Sequence, residues 1–344
     1  MKRRDILKRN MYEWLKEYKA NPVKKPIPIL SFPGCQLIGR TVEELVKSGE
    51  LQAECMKAIA DRFDTGAAFS LMDLSVEAEA FGSKIHYSVD DIPTVLEALI
   101  HDEDEAQELK VPQVGAGRTG ECVAGMKKAA ELITDRPVFA GIIGPYSLAG
   151  RLLDMTEIMI LCYEDPELVE TVLEKATQFL IEYAKAFKEA GANGIAMAEP
   201  AAGILSPGLM EEFSNPYVKR IRDAVEDENF IVLYHNCGNI EFLMNQIQDL
   251  DAVCYSFGNA ADMKTVMEKF QGDELVLGNI DPAGILRNAT PEVVKEETKK
   301  LLEQCSEYKN FVLSSGCDIP PMTPLKNMQA FFDAAAEYYS EKNS

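Results

Sequence analysis

The sequence predicts an α/β protein built as one (β/α)8 TIM barrel, and three observations carry that prediction. Short apolar runs, eight in all, alternate with segments of helical character along 344 residues. No linker, low-complexity stretch or solenoid-period repeat interrupts the alternation, so residues 1–344 are expected to form a single domain. Polar and metal-capable side chains gather just after the apolar runs, at the strand ends where such barrels do their chemistry. A doubly wound sheet is the competing arrangement.

The first strand is expected at 27–32 (Ile-Pro-Ile-Leu-Ser-Phe), behind an N-terminal helical extension. A helix follows over 42–62 and the second strand over 67–71. The long interval 74–136 holds more than one helix and a polar stretch near 101–108; it is read as an insertion over the barrel mouth. The third strand falls at 138–143 and the fourth at 194–198, with a helix over 166–190 between them. A helix over 207–225 leads to the fifth strand at 230–234. Strands six and seven are expected at 252–256 and 275–279, then a helix at 291–304, the eighth strand at 311–314 and a closing helix at 324–339. Ser206-Pro207, Thr290-Pro291 and Thr323-Pro324 each place an N-cap residue before proline at the first helical position.

The 47% apolar content suits a globular protein with a full core. A net charge of −21 argues against nucleic acid and against anionic membrane surfaces. No run approaches the ~18 apolar residues of a membrane span. The basic start of the chain, 1–9, has no apolar stretch behind it and is not read as a secretory signal. Eight scattered cysteines suit reduced thiols, so a cytoplasmic protein is expected.

The strongest chemical signal is His235-Asn236-Cys237-Gly238, directly after the fifth apolar run. Side chains two apart on a strand point to the same side, so His235 and Cys237 aim at one place. The eighth run ends the same way, in Ser315-Gly316-Cys317. If the two strand ends meet, one imidazole and two thiolates form a three-ligand zinc set with one position left open. The plainer reading is two packed cysteines and a satisfied core histidine. Gly238 and Gly316, expected at sharp bends, tip the balance toward the site.

Several blocks resemble the uroporphyrinogen decarboxylase superfamily: 144–149 (Gly-Pro-Tyr-Ser-Leu-Ala), 189–194 (Glu-Ala-Gly-Ala-Asn-Gly), 205–207 (Leu-Ser-Pro) with Tyr217, and 278–282 (Gly-Asn-Ile-Asp-Pro) followed by 290–294. The resemblance runs from about 27 to about 339. Within that superfamily the His-x-Cys with a distant Cys, and the stretch 73–82, are similar to the zinc-dependent, corrinoid-linked methyltransferases that methylate thiols such as coenzyme M. The decarboxylase would carry Arg-Gln-Ala-Gly-Arg after its first strand. Residues 34–40 here read Gly-Cys-Gln-Leu-Ile-Gly-Arg, leaving Arg40 as the basic group. A decarboxylase-like enzyme or a tetrapyrrole-binding protein is therefore the alternative.

The resemblance implies zinc held by His235, Cys237 and Cys317, a methylcorrinoid donor on a separate protein, a small thiol acceptor and a homodimer. No cobalamin-binding Asp-x-His-x-x-Gly segment occurs in the chain. Glu199, at the end of strand four, is the candidate fourth ligand or a carboxylate acting beside the metal, with water as the alternative. Asp281 and Asn279 are candidates to orient His235 or the thiol, although Asn-x-Asp-Pro also makes a good turn. Tyr146 is a candidate on the cofactor side. Asp73, Glu77 and Glu79 either face the mouth or serve as helix N-terminal acids. Cys35 is read as a packed small residue, His86 and His101 as surface or structural groups, and Pro320-Pro321 as fixing the loop that presents Cys317.

Overall fold

The computed structural model of the chain describes residues 9–342. The basic stretch 1–8 lies outside the described residues. The strands are β1 (Ala68–Phe69), β2 (Ile85–His86), β3 (Thr94–Val95), β4 (Val138–Ile143), β5 (Gly194–Ala198), β6 (Ile231–Asn236), β7 (Cys254–Phe257), β8 (Leu275–Ile280) and β9 (Phe311–Ser315). Seven of them form one sheet in the order β1-β4-β5-β6-β7-β8-β9, every pairing parallel. The order follows the chain without a reversal point, which the doubly wound alternative requires. β2 and β3 make a small antiparallel pair between β1 and β4.

The expected first strand is the main departure. Residues 27–32 run extended beside β9, where Ile27 N donates to Leu313 O at 2.9 Å and Ile319 N donates to Ile29 O at 3.1 Å. On the other side Gly66 N donates to Pro26 O at 2.9 Å. No regular ladder forms: on the β9 side Ile29 N donates to Ser315 Oγ at 3.0 Å and not to a backbone carbonyl, and on the other side Pro28 has no N–H to donate.

Helices fill the intervals. Pro166–Ala190 has the expected bounds, with Asp165 accepting from Leu168 N and Gly191 closing it at φ 100°. The expected helix over 42–62 is two helices, Val42–Val46 and Gly49–Arg62, because Ser48 caps a fresh start. That over 207–225 breaks at Ser214, since Pro216 can sit in the first turn of a helix and not in its interior. Of the three Pro-marked caps, Ser206 accepts from Leu209 N. Thr290 makes no side-chain cap bond, and the last helix starts at Leu325. Helices Pro145–Leu153 and Met155–Glu164 were not read from the sequence.

Strand parity explains the core. Alternate residues of the strands, among them Ala196, Ala198, Ile231, Leu233, Cys254, Leu275, Leu277 and Val312, form one buried cluster. The helix Met11–Ala20 joins it through Met11 and Leu15. The intervening residues, such as Val232, Tyr234 and Val276, pack in a second cluster with the helices. Along β6 the inward series is Ile231, Leu233, then His235, so the inner face turns from apolar to polar at the strand end.

Candidate metal centre

His235, Cys237 and Cys317 come together. Their ligand atoms all lie within 4.8 Å of one another. β6 and β9 are three places apart in the sheet order, and three spacings of a flat sheet would hold them roughly 14 Å apart. The sheet must curl strongly to bring them together.

The ring of His235 is 1% exposed. Its Nδ1 is 3.0 Å from Ser256 Oγ, and its Nε2 is buried with no hydrogen-bond partner among the described residues. Ser256 lies directly across the ladder from His235. With Nδ1–H donating to Ser256, the Nε2 lone pair is free for a metal. A buried nitrogen left without a hydrogen bond is costly unless something occupies it.

The cysteines show the same bias. The Cys237 thiol is pushed down, chiefly by the side chain of Cys317 against its sulfur and also by His235 beside it. The Cys317 thiol is driven up in turn by that contact and by burial. Two cysteine sulfurs this close to each other and to an imidazole nitrogen suit a shared cation, which would displace their protons. Tetrahedral ligands with bonds of ~2.0–2.3 Å stand roughly 3.5–3.8 Å apart, so atoms within 4.8 Å of one another need to close by at most about 1 Å around an ion, and the donor set suits zinc.

The backbone around the site is crowded. A Cβ on Gly258 would stand 2.5 Å from Cys237 Cα, and one on Gly316 would stand 2.6 Å from Asn259 N. The turn after β7 is thus wedged between the two cysteine-bearing segments. The chain bends at Gly238 and Gly316 as expected, neither of them in the left-handed region, and at Gly316 close approach adds a second reason for glycine. Asn279 clamps this turn, its Nδ2 donating to Gly258 O at 2.8 Å and Ala261 O at 2.7 Å.

Glu199 is fully buried next to the centre but outside the three-ligand cluster. Its carboxylate accepts from Tyr146 N at 3.2 Å, Ser147 N at 2.6 Å and Ser147 Oγ at 2.6 Å, at the start of the helix Pro145–Leu153. Burial nevertheless raises it to about 7. Its own N–H donates to His235 O at 2.8 Å. Asn236 ties β6 to the same residue, Nδ2 donating to Glu199 O at 2.9 Å. The Tyr146 ring is wholly buried and its hydroxyl lies 3.7 Å from Cys162 Sγ, so its backbone N–H is what reaches Glu199. Asp281 Oδ1 accepts from Ala283 N and Gly284 N, capping the turn after β8.

Other candidates sort themselves. Cys35 is buried and packed. His86 is exposed, and His101 is exposed and paired with Glu105 at 3.0 Å. Arg40 is an exposed partner of Glu44 at 3.3 Å. Asp73 and Glu79 both bind the buried Arg118, with Glu79 at 2.6 Å. Gln36 Nε2 donates to Pro321 O and Thr323 O, both at 2.8 Å, and so steadies the loop after Cys317.

The family model described as uroporphyrinogen decarboxylase (URO-D) matches residues 29–338. The methylcobamide:CoM methyltransferase MtbA of Methanosarcina acetivorans is 30% identical over 312 residues, covering 87% of this chain and 90% of that one. The methylcobamide:CoM methyltransferase MtaA of Methanosarcina barkeri is 32% identical over 213 residues, 60% of each. A solved methyltransferase from Methanosarcina mazei superimposes with a TM-score of 0.84 at 26% identity, covering 95% of this chain and 98% of that one.

Proposed function

The chain belongs to the uroporphyrinogen decarboxylase family, and on that premise we propose that it is a methyltransferase moving a methyl group from a methylated corrinoid to a thiol such as coenzyme M. The observation that carries this reading is the convergence of His235, Cys237 and Cys317 within 4.8 Å. The names of the relatives at 30% and 32% identity agree with it. Zinc held by these three residues would lower the proton affinity of the incoming thiol, so that sulfur attacks as a thiolate. In the transfer the Co–C bond breaks and its electron pair stays on cobalt, taking Co(III) to Co(I). The S–C bond forms and the thiol proton leaves.

The chain's own residues prepare this step. Ser256 fixes the ring of His235, and the turn clamped by Asn279 fixes the Cys237 backbone. Glu199 is proposed as the resting fourth ligand, to be displaced by the thiol; its carboxylate is held by Tyr146 N and Ser147, and its N–H binds His235 O. Asp281 is proposed to act by shaping the turn after β8. A decarboxylase reading finds no support at Arg40, which is exposed and paired.

We read the sheet as a (β/α)8 barrel of one domain, residues 26–32 closing it between β9 and β1, with the segment between β1 and β4 as the insertion over its mouth. The hydrogen bonds of Ile27, Ile29 and Pro26 support the closure. The corrinoid is proposed to arrive on a separate protein. Ile204, Phe242 and Met322, exposed apolar residues after β5, β6 and β9, suit such docking. A cytoplasmic homodimer completes the reading; among the described residues no helix is long and apolar enough to cross a membrane.

The test combines metal analysis with transfer from free methylcobalamin to a panel of thiols. About one zinc per chain is expected, lost in Cys237→Ala and Cys317→Ala, with thiol methylation by the wild type. Full metal in both variants, or methylation of no thiol, overturns the reading.

A further inference from the structure

Arg151 is the charged residue of the site region that nothing above uses. It sits in the last turn of the helix Pro145–Leu153, where the other eight residues are buried. It is itself half-buried. Among the described residues it has no hydrogen bond and no ion pair, whereas the neighbouring Arg118 has three side-chain partners. An arginine near a helix C-terminus is sometimes there for the last carbonyls, but none is bonded here. Burial works against its charge, and Asp73 is the carboxylate that counters it. Asp73 is already committed: Oδ2 accepts from Arg118, and Oδ1 accepts from Ser75 N and Oγ. Five N–H donors in a fork are left unengaged by protein.

The helix connects Arg151 to the metal centre. Ser147 and Arg151 are four apart on one helix, so they share a face and stand roughly 6 Å apart along the axis. Ser147 binds Glu199, whose N–H binds His235 O. The molecule carries −21, a field that repels any anion. A small anionic substrate therefore needs a local cation to be held at all.

Resting on the thiol-methylation reading, we infer that Arg151 receives the anionic end of the acceptor, a sulfonate or carboxylate carried a few bonds from the sulfur that reaches His235, Cys237 and Cys317. The guanidinium fork matches such an oxyanion in two-point geometry. Acceptors with a neutral tail lose that anchor.

Two measurements test this. Calorimetric titration of the purified protein with ethanesulfonate, which has no thiol, is expected to show binding that weakens at least tenfold in Arg151→Gln and less in Arg151→Lys. Absence of binding to the wild type, or equal binding in Arg151→Gln, overturns the inference. In methyl transfer from methylcobalamin, the wild-type KM for 2-mercaptoethanesulfonate and 3-mercaptopropionate is expected at least tenfold below that for 2-mercaptoethanol; equal values overturn it, whether or not the variants fold. A lower KM for one anionic thiol alone supports it and identifies the oxyanion. Methylation of none of the three overturns the thiol-methylation reading itself, an outcome that the ethanesulfonate titration registers separately.

Discussion

Ser256 decides which nitrogen of His235 is left for a metal. Its hydroxyl, 3.0 Å from Nδ1, holds the ring and leaves Nε2 bare. Groups that orient a ligand from behind contribute 10–100-fold in metal affinity. Ser256→Ala should therefore weaken zinc binding by about that factor, measured by competition with a chromophoric chelator. Affinity equal to the wild type would reduce Ser256 to a packing residue. The three ligands were legible in the sequence because a spacing of two on a strand has one geometric meaning. Ser256 and Arg151 were not. Ser256 matters through the ladder register that sets it opposite His235, and Arg151 through the lack of a partner among the described residues; neither fact has a sequence signature.

At the level of elements, the turn after β7 is the piece that holds the centre in shape. It touches Cys237 through Gly258 and the approach to Cys317 through Asn259, and Asn279 locks it from β8. Gly258→Ala places a methyl 2.5 Å from Cys237 Cα, against backbone that cannot yield cheaply. The variant should stay folded yet bind zinc at least tenfold more weakly, read by elemental analysis after dialysis; full retention would show the wedge to be slack. Strand and helix periodicity located seven of the eight expected strands and the long helix Pro166–Ala190. It failed where proline acts. Pro28 helps keep 27–32 from becoming a laddered strand, and Pro216 divides a helix whose apolar pattern runs straight through.

Across the molecule, the buried carboxyl of Glu77 ties stability to pH. Burial raises it to about 7. Ile143 N donates to one oxygen at 3.0 Å, and the other is buried without a partner. Asp73, Arg118, Cys122 and Tyr183 face it. In the unfolded chain it titrates near ~4.3, so between there and about 7 the native state binds the extra proton. Its contribution is favourable at the acid end and is lost as pH rises through that window, by up to roughly 3 kcal/mol. Denaturant unfolding at pH 5 and pH 7 should show a smaller drop for Glu77→Gln than for the wild type; identical drops would remove Glu77 as the cause. The same scale gives the centre its wider meaning. His235 rides on β6 and Cys237 directly follows it, and Cys317 follows β9, strands aligned by backbone ladders and by an apolar interior. On the proposed zinc reading, a chain arranged this way is expected to lose the ion and take it up again without refolding. Scarcity of zinc would then idle the protein and leave its abundance untouched, and supply could switch it back on faster than synthesis could replace it.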